Sequence, residues 1–467
     1  MMQKVYYQPK GYWFGDCMPF YYQGTYYLFH QRDTRQPRPL TDPFGWSLVT
    51  TKDFVDFHDY GEVINHGNDS DADQFIYAGS VIDAGDKAIA LYTGHNRPAK
   101  LAKKTSEILM QATSHDLIHW EKQGNATELI PQKGYDNNDW RDPTVVFDEK
   151  NKKYILILGA RLPSNKKKPT GRLVYFESSD LKKWNFKGDF WNPKEFNMVE
   201  MPQIIKIGKT WYLIFSEYSK DKITKYRMSN DLFGEWYSPL DEAFDGKAYY
   251  AARTVGNYNT GCYLTGWVAT KENNSDLGNY DWGGALVPHQ IIQRSDLTLG
   301  VDLPKTITNN FKSKKFISDV NITNKSAKKE KIILSNIPNY FLLETDVVID
   351  SNTKEVSIRL FENEDTEDCY EYTISLFKNQ LKFDKSPNYP WPQLFDKGLQ
   401  RPLKLVSNKK YHLKLIVDDN IAILYIDGVA LSTRMYSKPG NSLSVAVTEG
   451  AVKFTNLQYH TDYMSGF

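Results

Sequence analysis

The chain has 467 residues, and its 58 lysines and arginines nearly balance its 57 aspartates and glutamates, which leaves a formal net charge of +1. A chain of this length is too long for one compact core, and the near-zero charge argues against nucleic acid as a partner. Three widely separated cysteines match neither a metal-ligand spacing nor a disulfide framework. We predict no metal site, and we expect no cofactor.

The chain enters folded-looking sequence by Tyr6 without a charged-then-apolar leader, and no apolar run is long enough to span a membrane. These features predict a soluble, cytoplasmic protein with no membrane partner.

Strand signals dominate the first two thirds of the chain. From Phe20 to Leu297, short runs rich in β-branched and aromatic residues follow one another without a competing amphipathic helix. The runs cover residues 25–29, 88–92, 154–158, 211–215 and 262–267.

Two short phrases recur around these runs. The first occurs as Thr51-Lys52-Asp53-Phe54, Ser114-His115-Asp116-Leu117, Ser179-Asp180-Leu181, Ser229-Asn230-Asp231-Leu232 and Arg294-Ser295-Asp296-Leu297. The second occurs as Trp13-Phe14-Gly15-Asp16, Ala78-Gly79-Ser80, Trp140-Arg141-Asp142-Pro143, Val199-Glu200-Met201-Pro202 and Ala251-Ala252-Arg253. By subtraction, the aspartates of the first phrase are 63, 64, 51 and 65 residues apart. A strand-rich repeat of this size predicts a five-bladed β-propeller over residues 1–300.

Beyond this region the repeat stops and the composition changes. Residues 301–330 are polar and rich in lysine, so we expect a linker or first-strand region there, with Lys312 to Lys331 as a solvated connector. Residues 331–467 contain several runs that alternate between polar and apolar residues, as half-buried strands do. The sequence therefore predicts an all-β chain in which a β-sandwich follows and supports the propeller. Trp391, between two prolines, is expected in a rigid loop of the sandwich.

The phase of the repeat gives three acids equivalent positions. Asp16, Asp142 and Glu200 all belong to the second phrase, so blades one, three and four would bring them to one central pocket. In glycoside hydrolysis one carboxyl group protonates the leaving oxygen, and another attacks the anomeric carbon or activates water. A third can stabilise positive charge on the sugar ring. Acids beside glycine or proline are also common in solvated turns, so the residues alone leave both interpretations open.

Sequence neighbours predict different states for the three carboxyl groups. Glu200 lies between a valine and a methionine, and an apolar setting favours the protonated form that a general acid needs. Arg141 precedes Asp142, and its charge would keep that aspartate ionised. Asp16 has no charged neighbour in sequence, so nothing local opposes an ionised nucleophile.

Several ordered sequence blocks carry a resemblance to a known family. Trp140 to Val145, followed by the strand run at 154–160, forms an Arg-Asp-Pro block, and Trp46 to Phe54 forms a second block. Leu91 to Gly94 and Trp282 to Pro288 add two more. Together these blocks resemble glycoside hydrolase family 32, the β-fructofuranosidases that include invertases, levanases and inulinases. The resemblance covers most of the chain, and it implies a propeller with a C-terminal sandwich.

The resemblance implies a role for each acid. Asp16 matches the nucleophile, Glu200 the acid/base and Asp142 the transition-state stabiliser. The residues that match the lining of a fructose subsite are Gln31, Trp46, Ser80 and Tyr250. The implied reaction is hydrolysis of β-fructofuranosidic bonds in sucrose-like or short fructo-oligosaccharide substrates, with retention, through a covalent fructosyl-enzyme. The expected partner is a small carbohydrate.

Further candidates for substrate binding depart from the family pattern or are less specific. Trp13 and Trp267 are candidates either for stacking on a sugar ring or for core packing. Arg141 is a candidate because it adjoins an acid of the site. Arg253 replaces a usual glutamine, and it would either meet an anionic substrate such as a sugar phosphate or pair with a structural acid. The family's first block usually reads Asn-Asp-Pro-Asn, whereas Asp16 lies between glycine and cysteine here, so the fructose hydroxyl contacts must differ.

Three alternatives stay open at this stage. An arabinofuranosidase or xylosidase similar to glycoside hydrolase family 43 would gather a comparable trio of acids but would usually invert. A fructosyltransferase would pass the fructosyl group to another sugar rather than to water. A non-catalytic carbohydrate-binding propeller would bind sugar without turnover. The oligomeric state is not predicted.

Overall fold

The structure is a computed structural model that describes residues 3–125, 129–163, 169–219, 221–386 and 399–466. Trp391 lies outside these residues. Nearly all of the regular secondary structure in the described chain is antiparallel strand. The described chain also contains two short helices, α1 (Arg97–Leu101) and α2 (Lys305–Asn309), and one 3₁₀ turn at Glu272–Asn274. Within these described ranges no helix combines the length and the apolar character needed to cross a membrane.

The N-terminal part of the described chain is built from four antiparallel sheets. Its strands, in chain order, are β1 (Trp13–Tyr22), β2 (Thr25–Asp33), β3 (Trp46–Thr51), β4 (Phe57–Ile64), β5 (Phe75–Asp83), β6 (Ala88–His95), β7 (Glu107–Ser114), β8 (Glu121–Asn125), β9 (Trp140–Asp148), β10 (Lys153–Ala160), β11 (Arg172–Ser178), β12 (Asn185–Trp191), β13 (Val199–Ile207), β14 (Thr210–Glu217), β15 (Thr224–Ser229), β16 (Tyr249–Asn257), β17 (Gly261–Lys271), β18 (Tyr280–Gln293) and β19 (Leu299–Asp302). Three sheets follow chain order, as β5–β8, β9–β12 and β13–β15. The fourth has the order β16-β17-β18-β1-β2-β3-β4, with β19 on β18, so it joins the beginning of this region to its end.

Five strands lie innermost, and they carry the second sequence phrase. β1, β5, β9, β13 and β16 contact one another in this order, and β16 returns to contact β1, so the five strands surround a common axis. The pairing of each strand with its neighbour shifts register within the phrase, at residues 14–17, 77–79, 141–144, 200–203 and 250–253. A β-bulge bends a strand and redirects its side chains, and bulges are frequent next to active sites.

The first phrase forms a hydrogen-bonded turn. In the second copy, the Ser114 hydroxyl accepts a hydrogen bond from the Leu117 amide at 2.9 Å. One carboxylate oxygen of Asp116 accepts from the next two amides, Ile118 at 2.9 Å and His119 at 2.8 Å. Leu117 has φ of 67°, and the equivalent Phe54, Leu181 and Leu297 have φ of 61°, 60° and 68°. The phrase recurs because the same turn is made at equivalent places in the repeat.

The C-terminal part of the described chain is one extended antiparallel arrangement. Its strands are β20 (Phe311–Phe316), β21 (Val320–Leu334), β22 (Tyr340–Ile349), β23 (Glu355–Glu362), β24 (Cys369–Ser375), β25 (Gln380–Ser386), β26 (Gln400–Pro402), β27 (Lys410–Asp418), β28 (Ile421–Ile426), β29 (Val429–Arg434) and β30 (Ser442–Tyr463). The order is β26-β25-β24-β23-β30-β22-β27-β28-β29, and β20 and β21 also pair with β30. The long β30 therefore connects the two halves of this arrangement.

The polar stretch after residue 301 belongs to this arrangement. β20 and β21 pair with β30 across most of residues 311–334, so the expectation of a solvated connector from Lys312 to Lys331 is wrong. Residues 312–316 are exposed although their backbone is hydrogen-bonded. Lysines are favoured on exposed and edge strands because their charge opposes pairing with further chains. The polar, lysine-rich composition of β20 and β21 is typical of a loop, although these residues form paired strands.

A buried polar network joins the two parts. Asp245, which precedes β16, accepts hydrogen bonds from the Ser432 amide at 2.7 Å and from the Ser432 hydroxyl at 2.5 Å. His289 of β18 lies 3.1 Å from the same carboxylate and 2.9 Å from the Tyr425 hydroxyl. Leaving such buried groups without partners costs about 1–3 kcal/mol each. The network and a shared apolar cluster hold the two parts together as one unit.

Candidate active site

A cavity of about 450 Å³ opens at the axis of the five inner strands. Asp16 of β1, Asp142 of β9 and Glu200 of β13 all line this cavity. The three acids, up to 184 residues apart by subtraction of their numbers, therefore meet in one place rather than lying in separate solvated turns. Each acid belongs to a bulged segment, which explains how neighbouring residues of one strand can both face the cavity.

Asp16 has one side-chain hydrogen-bond donor and two acidic neighbours. Its Oδ1 accepts a hydrogen bond from the Trp267 indole nitrogen at 3.0 Å. Burial, followed by the charge of Asp142, raises the pKa of Asp16 to about 8, and Glu200 acts in the same direction. The sequence showed no charged neighbour of Asp16, whereas the fold places two carboxyl groups beside it. The fold therefore favours the protonated form of Asp16 more than the sequence indicated.

Asp142 is buried and hydrogen-bonded through both its carboxylate and its backbone amide. Its Oδ2 accepts from the Met201 amide at 2.9 Å, and its own amide donates to the Thr93 hydroxyl at 3.0 Å. Burial raises the pKa of Asp142 to about 6, and Arg141 opposes this rise without cancelling it. Arg141 therefore favours the ionised form of Asp142, as expected from the sequence, but burial has the larger effect and leaves the pKa above its ordinary value.

Glu200 has polar partners on both carboxylate oxygens. Oε1 accepts from the Arg141 Nη2 at 2.8 Å, and Oε2 accepts from the Tyr250 hydroxyl at 2.7 Å. The apolar setting expected from its neighbours in sequence is therefore wrong for the carboxylate itself. The adjacent Val199 and Met201 are buried, while the glutamate side chain faces the cavity. Arg141 consequently acts on Glu200 more directly than on the aspartate that follows it.

Arg141 forms ion pairs with three acids, Glu200, Asp139 and Glu107, of which only Glu200 was predicted from the sequence as a site residue. Its Nη1 donates to Asp139 at 2.8 Å and to Glu107 at 3.2 Å. Glu107 is 2 % exposed and also accepts from the Trp140 amide at 2.8 Å. Burial favours the neutral form of Glu107, but Arg141 and the hydrogen-bond donors outweigh it and hold its pKa below the ordinary value. Glu107 lies in no recurring phrase, so no sequence signal identified it.

The other predicted substrate-binding residues divide into two groups. Gln31, Arg141, Tyr250 and Trp267 line the cavity, whereas Trp13, Trp46, Ser80 and Arg253 are not part of its lining. Trp46 is fully buried, and its indole donates to the Tyr77 carbonyl at 3.0 Å, so it is a core residue. Trp13 has the Arg35 guanidinium 4.3 Å from its ring centroid, which occupies one ring face.

Ser80 and Arg253 also lie behind the lining rather than in it. The Ser80 hydroxyl oxygen is buried among the described residues. Arg253 is 2 % exposed and donates to backbone carbonyls. It does not line the cavity, and no acid in the described part of the chain forms an ion pair with it, so neither role expected from the sequence is seen there.

Residues that sequence reasoning missed complete the wall. Phe44 and Trp282 lie with their rings stacked, 5.9 Å between centroids and 10° between planes. Tyr77 lies beside them and stacks on His95 at 4.6 Å. Trp282 belongs to a block already noted for its resemblance, which was a usable signal; Phe44 carried none. Aromatic walls of this kind suit the apolar faces of sugar rings.

Three lysines, Lys100, Lys222 and Lys247, also line the cavity. Lys100 and Lys222 are exposed and Lys247 is half-buried. Among the described residues no group of three or more histidine, cysteine, aspartate or glutamate side chains has an arrangement suited to a metal ion.

Comparison with known proteins agrees with this arrangement over both parts of the chain. Residues 6–298 match the model of the glycosyl hydrolases family 32 N-terminal domain, and residues 305–461 match that of the family 32 C-terminal domain. These matches favour family 32 over the alternative of family 43.

Two proteins similar in sequence to this chain are a sucrose-6-phosphate hydrolase and a raffinose invertase. A sucrose-6-phosphate hydrolase of Zymomonas mobilis is 24% identical over 290 residues, covering 57% of this chain and 54% of that protein. A raffinose invertase of Escherichia coli is 23% identical over 292 residues, covering 59% of this chain and 58% of that protein. The chain thus spans about half the length of the curated relatives it matches.

Solved structures share the fold over nearly the whole chain. The sucrose-6-phosphate hydrolase from Lactobacillus gasseri has a TM-score of 0.77 at 20% identity, covering 99% of this chain and 93% of that chain. Fructan 1-exohydrolase IIa from Cichorium intybus has a TM-score of 0.79 at 15% identity, covering 100% and 98%. The fold is therefore an N-terminal propeller followed by a C-terminal β-sandwich. With both of its domains matched, the chain belongs to glycoside hydrolase family 32.

Proposed function

We propose that this protein is a retaining β-fructofuranosidase. The observation that carries the proposal is the convergence of Asp16, Asp142 and Glu200, from three different inner strands, on one cavity with an aromatic wall. Retaining glycosidases use one carboxylate as nucleophile and a second carboxyl group first as acid and then as base. The family membership of both domains supports the same reaction class.

In the proposed reaction Asp16 attacks the anomeric carbon of the fructosyl unit while Glu200 gives its proton to the leaving oxygen. The glycosidic bond breaks, and an ester bond forms between Asp16 and the sugar. Glu200 then takes a proton from water, whose oxygen attacks the same carbon and releases Asp16. Asp142 stabilises the positive charge that develops on the ring in both steps.

Burial and the charges of Asp142 and Glu200 favour the protonated form of Asp16 and raise its pKa to about 8. The proposed reaction needs Asp16 ionised, so kcat/KM should rise as the pH rises through the pKa of Asp16. Arg141 and Tyr250, which bond Glu200, hold its carboxyl group in place for proton transfer to the leaving oxygen.

The proposed substrates are sucrose-like or short fructo-oligosaccharides. A phosphorylated sucrose is a second candidate, favoured by Lys100, Lys222 and Lys247 on the cavity lining. Within the described residues, none of the three lysines forms an ion pair with an acid, which leaves their charges available to a phosphate. The relatives named above include sucrose-6-phosphate hydrolases.

The proposed architecture is a five-bladed propeller over residues 1–300. The closed ring of five inner strands supports this count, with β1–β4 and β16–β19 as separate blades of the one large sheet. We propose that the sandwich begins at β20, so that residues 301–310 form the connection and residues 331–467 only part of the sandwich.

A substrate screen with product analysis tests the function. Sucrose, sucrose 6-phosphate, inulin- and levan-type oligosaccharides and aryl arabinofuranosides would be compared, with the anomer of the first product followed by NMR. Retention on a fructoside is expected, whereas inversion, or turnover of the arabinofuranoside alone, would overturn the proposal. Growth of oligosaccharides at high substrate concentration would instead identify a transferase.

The variant Glu200→Ala separates an enzyme from a sugar-binding propeller. Because general acid catalysis contributes about 10²–10⁴-fold, sucrose hydrolysis should fall by at least that lower factor while binding persists. An aryl fructoside with a good leaving group should lose less in the first step. Glu149→Ala, at an exposed position, is the matched control. Unchanged turnover by Glu200→Ala would reject the acid role.

The phosphate candidate has its own comparison. Lys222→Gln and Lys247→Gln should raise KM for sucrose 6-phosphate more than for sucrose, because only the former carries the anion. Lys183→Gln, at an exposed turn away from the cavity, is the control. Equal effects on both substrates would count against a phosphate contact.

A further inference from the structure

Arg253 is a buried cation directly behind the cavity. It lies on β16 and is 2 % exposed, and it is among the largest fully buried side chains of the protein. A buried charge is costly unless hydrogen bonds and opposite charges compensate it. The partners of this guanidinium therefore indicate what it does.

Its guanidinium bonds three backbone carbonyls from three different inner strands. Nη1 donates to Gly79 of β5, Nη2 donates to Asp142 of β9 at 3.1 Å, and Nε donates to Met201 of β13 at 3.4 Å. Since Arg253 itself belongs to β16, one side chain connects four of the five strands around the axis.

The three carbonyls belong to bulged segments of the inner strands, and two of these segments carry acids of the site. Gly79 ends the register shift of β5, and Asp142 and Met201 have φ of 64° and 52° within the shifts of β9 and β13. The amide of Met201 donates to the Asp142 carboxylate at 2.9 Å, and Met201 directly follows Glu200. Left-handed backbone at non-glycine residues is strained and persists only where surrounding contacts hold it. Arg253 provides such contacts at both positions.

The same side chain supplies positive charge to the acids. No carboxylate oxygen of the described residues is in ion-pair contact with Arg253, yet Asp142 and Asp16 both favour its charged form. Burial, the larger effect, lowers the pKa of Arg253 to about 10, so it stays protonated at neutral pH. In return the arginine favours the ionised forms of Asp16 and Asp142.

We propose that Arg253 is a positioning residue that fixes the bulges carrying Asp142 and Glu200 and holds a permanent positive charge behind Asp16 and Asp142. This inference rests on the proposed function for its kinetic consequences. The titratable and charged groups around the site, taken from the strands packed there, are Asp16 and Cys17 of β1, Tyr77 of β5, Arg141 and Asp142 of β9, Glu200 of β13 and Tyr250 of β16. Of these, Arg141 is the other cation, and its guanidinium is engaged by Glu200, Glu107 and Asp139.

Arg253→Gln and Arg253→Lys test the proposal through the pH dependence of kcat/KM. Glutamine removes the charge, so the acid limb of the profile should move upward by about one pH unit, and kcat/KM near pH 7 should fall about 10-fold or more. Lysine keeps the charge but loses most of the carbonyl bonds, so the limb should stay near its original position while kcat falls.

The control is Arg401→Gln. Arg401 is 3 % exposed and also donates to backbone carbonyls, of Ala430 and Ala243, but it lies away from the cavity. This variant should lower the melting temperature and leave the acid limb unmoved. An unmoved limb in folded Arg253→Gln would overturn the inference.

A direct titration keeps the test independent of activity. The carboxyl carbons of aspartate, labelled with ¹³C, would be titrated by NMR in the wild-type protein and in both Arg253 variants. Higher pKa values for Asp16 and Asp142 in Arg253→Gln are expected even if the protein hydrolyses no fructoside, which separates failure of this inference from failure of the proposed function. If Arg253→Gln does not fold, Arg253→Lys serves instead, and it should titrate like the wild type. Unchanged values in folded Arg253→Gln, or values in Arg253→Lys that rise markedly, would refute the electrostatic role.

Discussion

The hydrogen bond from Trp267 to Asp16 gives a quantitative prediction. The indole nitrogen lies 3.0 Å from Oδ1 and opposes the effects of burial and of Asp142 on the Asp16 pKa. Trp267→Phe removes this donor and keeps an aromatic ring in the wall. A hydrogen bond to a charged group contributes about 1.5–3 kcal/mol, and the lower figure is appropriate because Asp16 is half-buried.

The sign of the effect follows from which form the bond stabilises. The donor favours the ionised carboxylate, so its loss raises the Asp16 pKa above about 8. At about 1.36 kcal/mol for each pKa unit, a loss of 1.5 kcal/mol moves the acid limb of kcat/KM upward by about one pH unit. Below the limb, kcat/KM should fall about 10-fold, and raising the pH should restore much of it.

The assay is the pH profile of kcat/KM for the best fructoside, for the wild type, Trp267→Phe and Trp120→Phe. Trp120 is a matched control because its indole donates to the Leu117 carbonyl at 3.1 Å, within a repeat turn away from the cavity. A profile for Trp267→Phe that falls equally at every pH would refute this reasoning, since it would show lost packing rather than a changed titration. A shifted limb in Trp120→Phe would refute it as well.

Two further predictions concern buried acids. Glu107→Gln removes one of the acids that hold Arg141. Because Asp139 and Glu200 remain, the free energy of unfolding should fall by about 2 kcal/mol, less than the about 3–5 kcal/mol expected when a buried charge loses its only partner. Urea unfolding measures this loss, with Glu177→Gln as an exterior control. Unchanged stability would show that Glu107 contributes nothing. Asp245→Asn should destabilise the protein by about 2 kcal/mol at pH 7. Burial opposes ionisation of Asp245, but His289 and Ser432 outweigh burial and lower the pKa of Asp245. The stabilisation by Asp245 is therefore fully present above the pKa of the unfolded state, and it is lost as the pH falls through the lower pKa of the folded state. The difference between wild type and variant in thermal unfolding should therefore shrink in acid, and a constant difference would contradict the linkage.

Much of the candidate site was predictable because its acids lie in a repeated phrase. Asp16, Asp142 and Glu200 occupy the same phase of a strand-rich repeat, and residues in the same phase of a closed ring face the same axis. Gln31 and Tyr250 followed from the family resemblance. Glu107 and Phe44 were not predictable, since they belong to no phrase and reach the cavity only through packing between neighbouring sheets.

The sequence by itself determined the strand-rich class, the repeat and the three acids that the repeat brings together. The tertiary structure decided their protonation and their partners. In a regular strand consecutive side chains point to opposite faces, so Arg141 would act away from Asp142; the bulge turns both toward the cavity, where the arginine bonds Glu200. The pKa of a carboxyl group depends on its distance from charges and from water, and neither quantity is fixed by neighbours in sequence. For the same reason Arg253, read in sequence as a possible substrate contact, is a buried cation bonded to carbonyls of three strands.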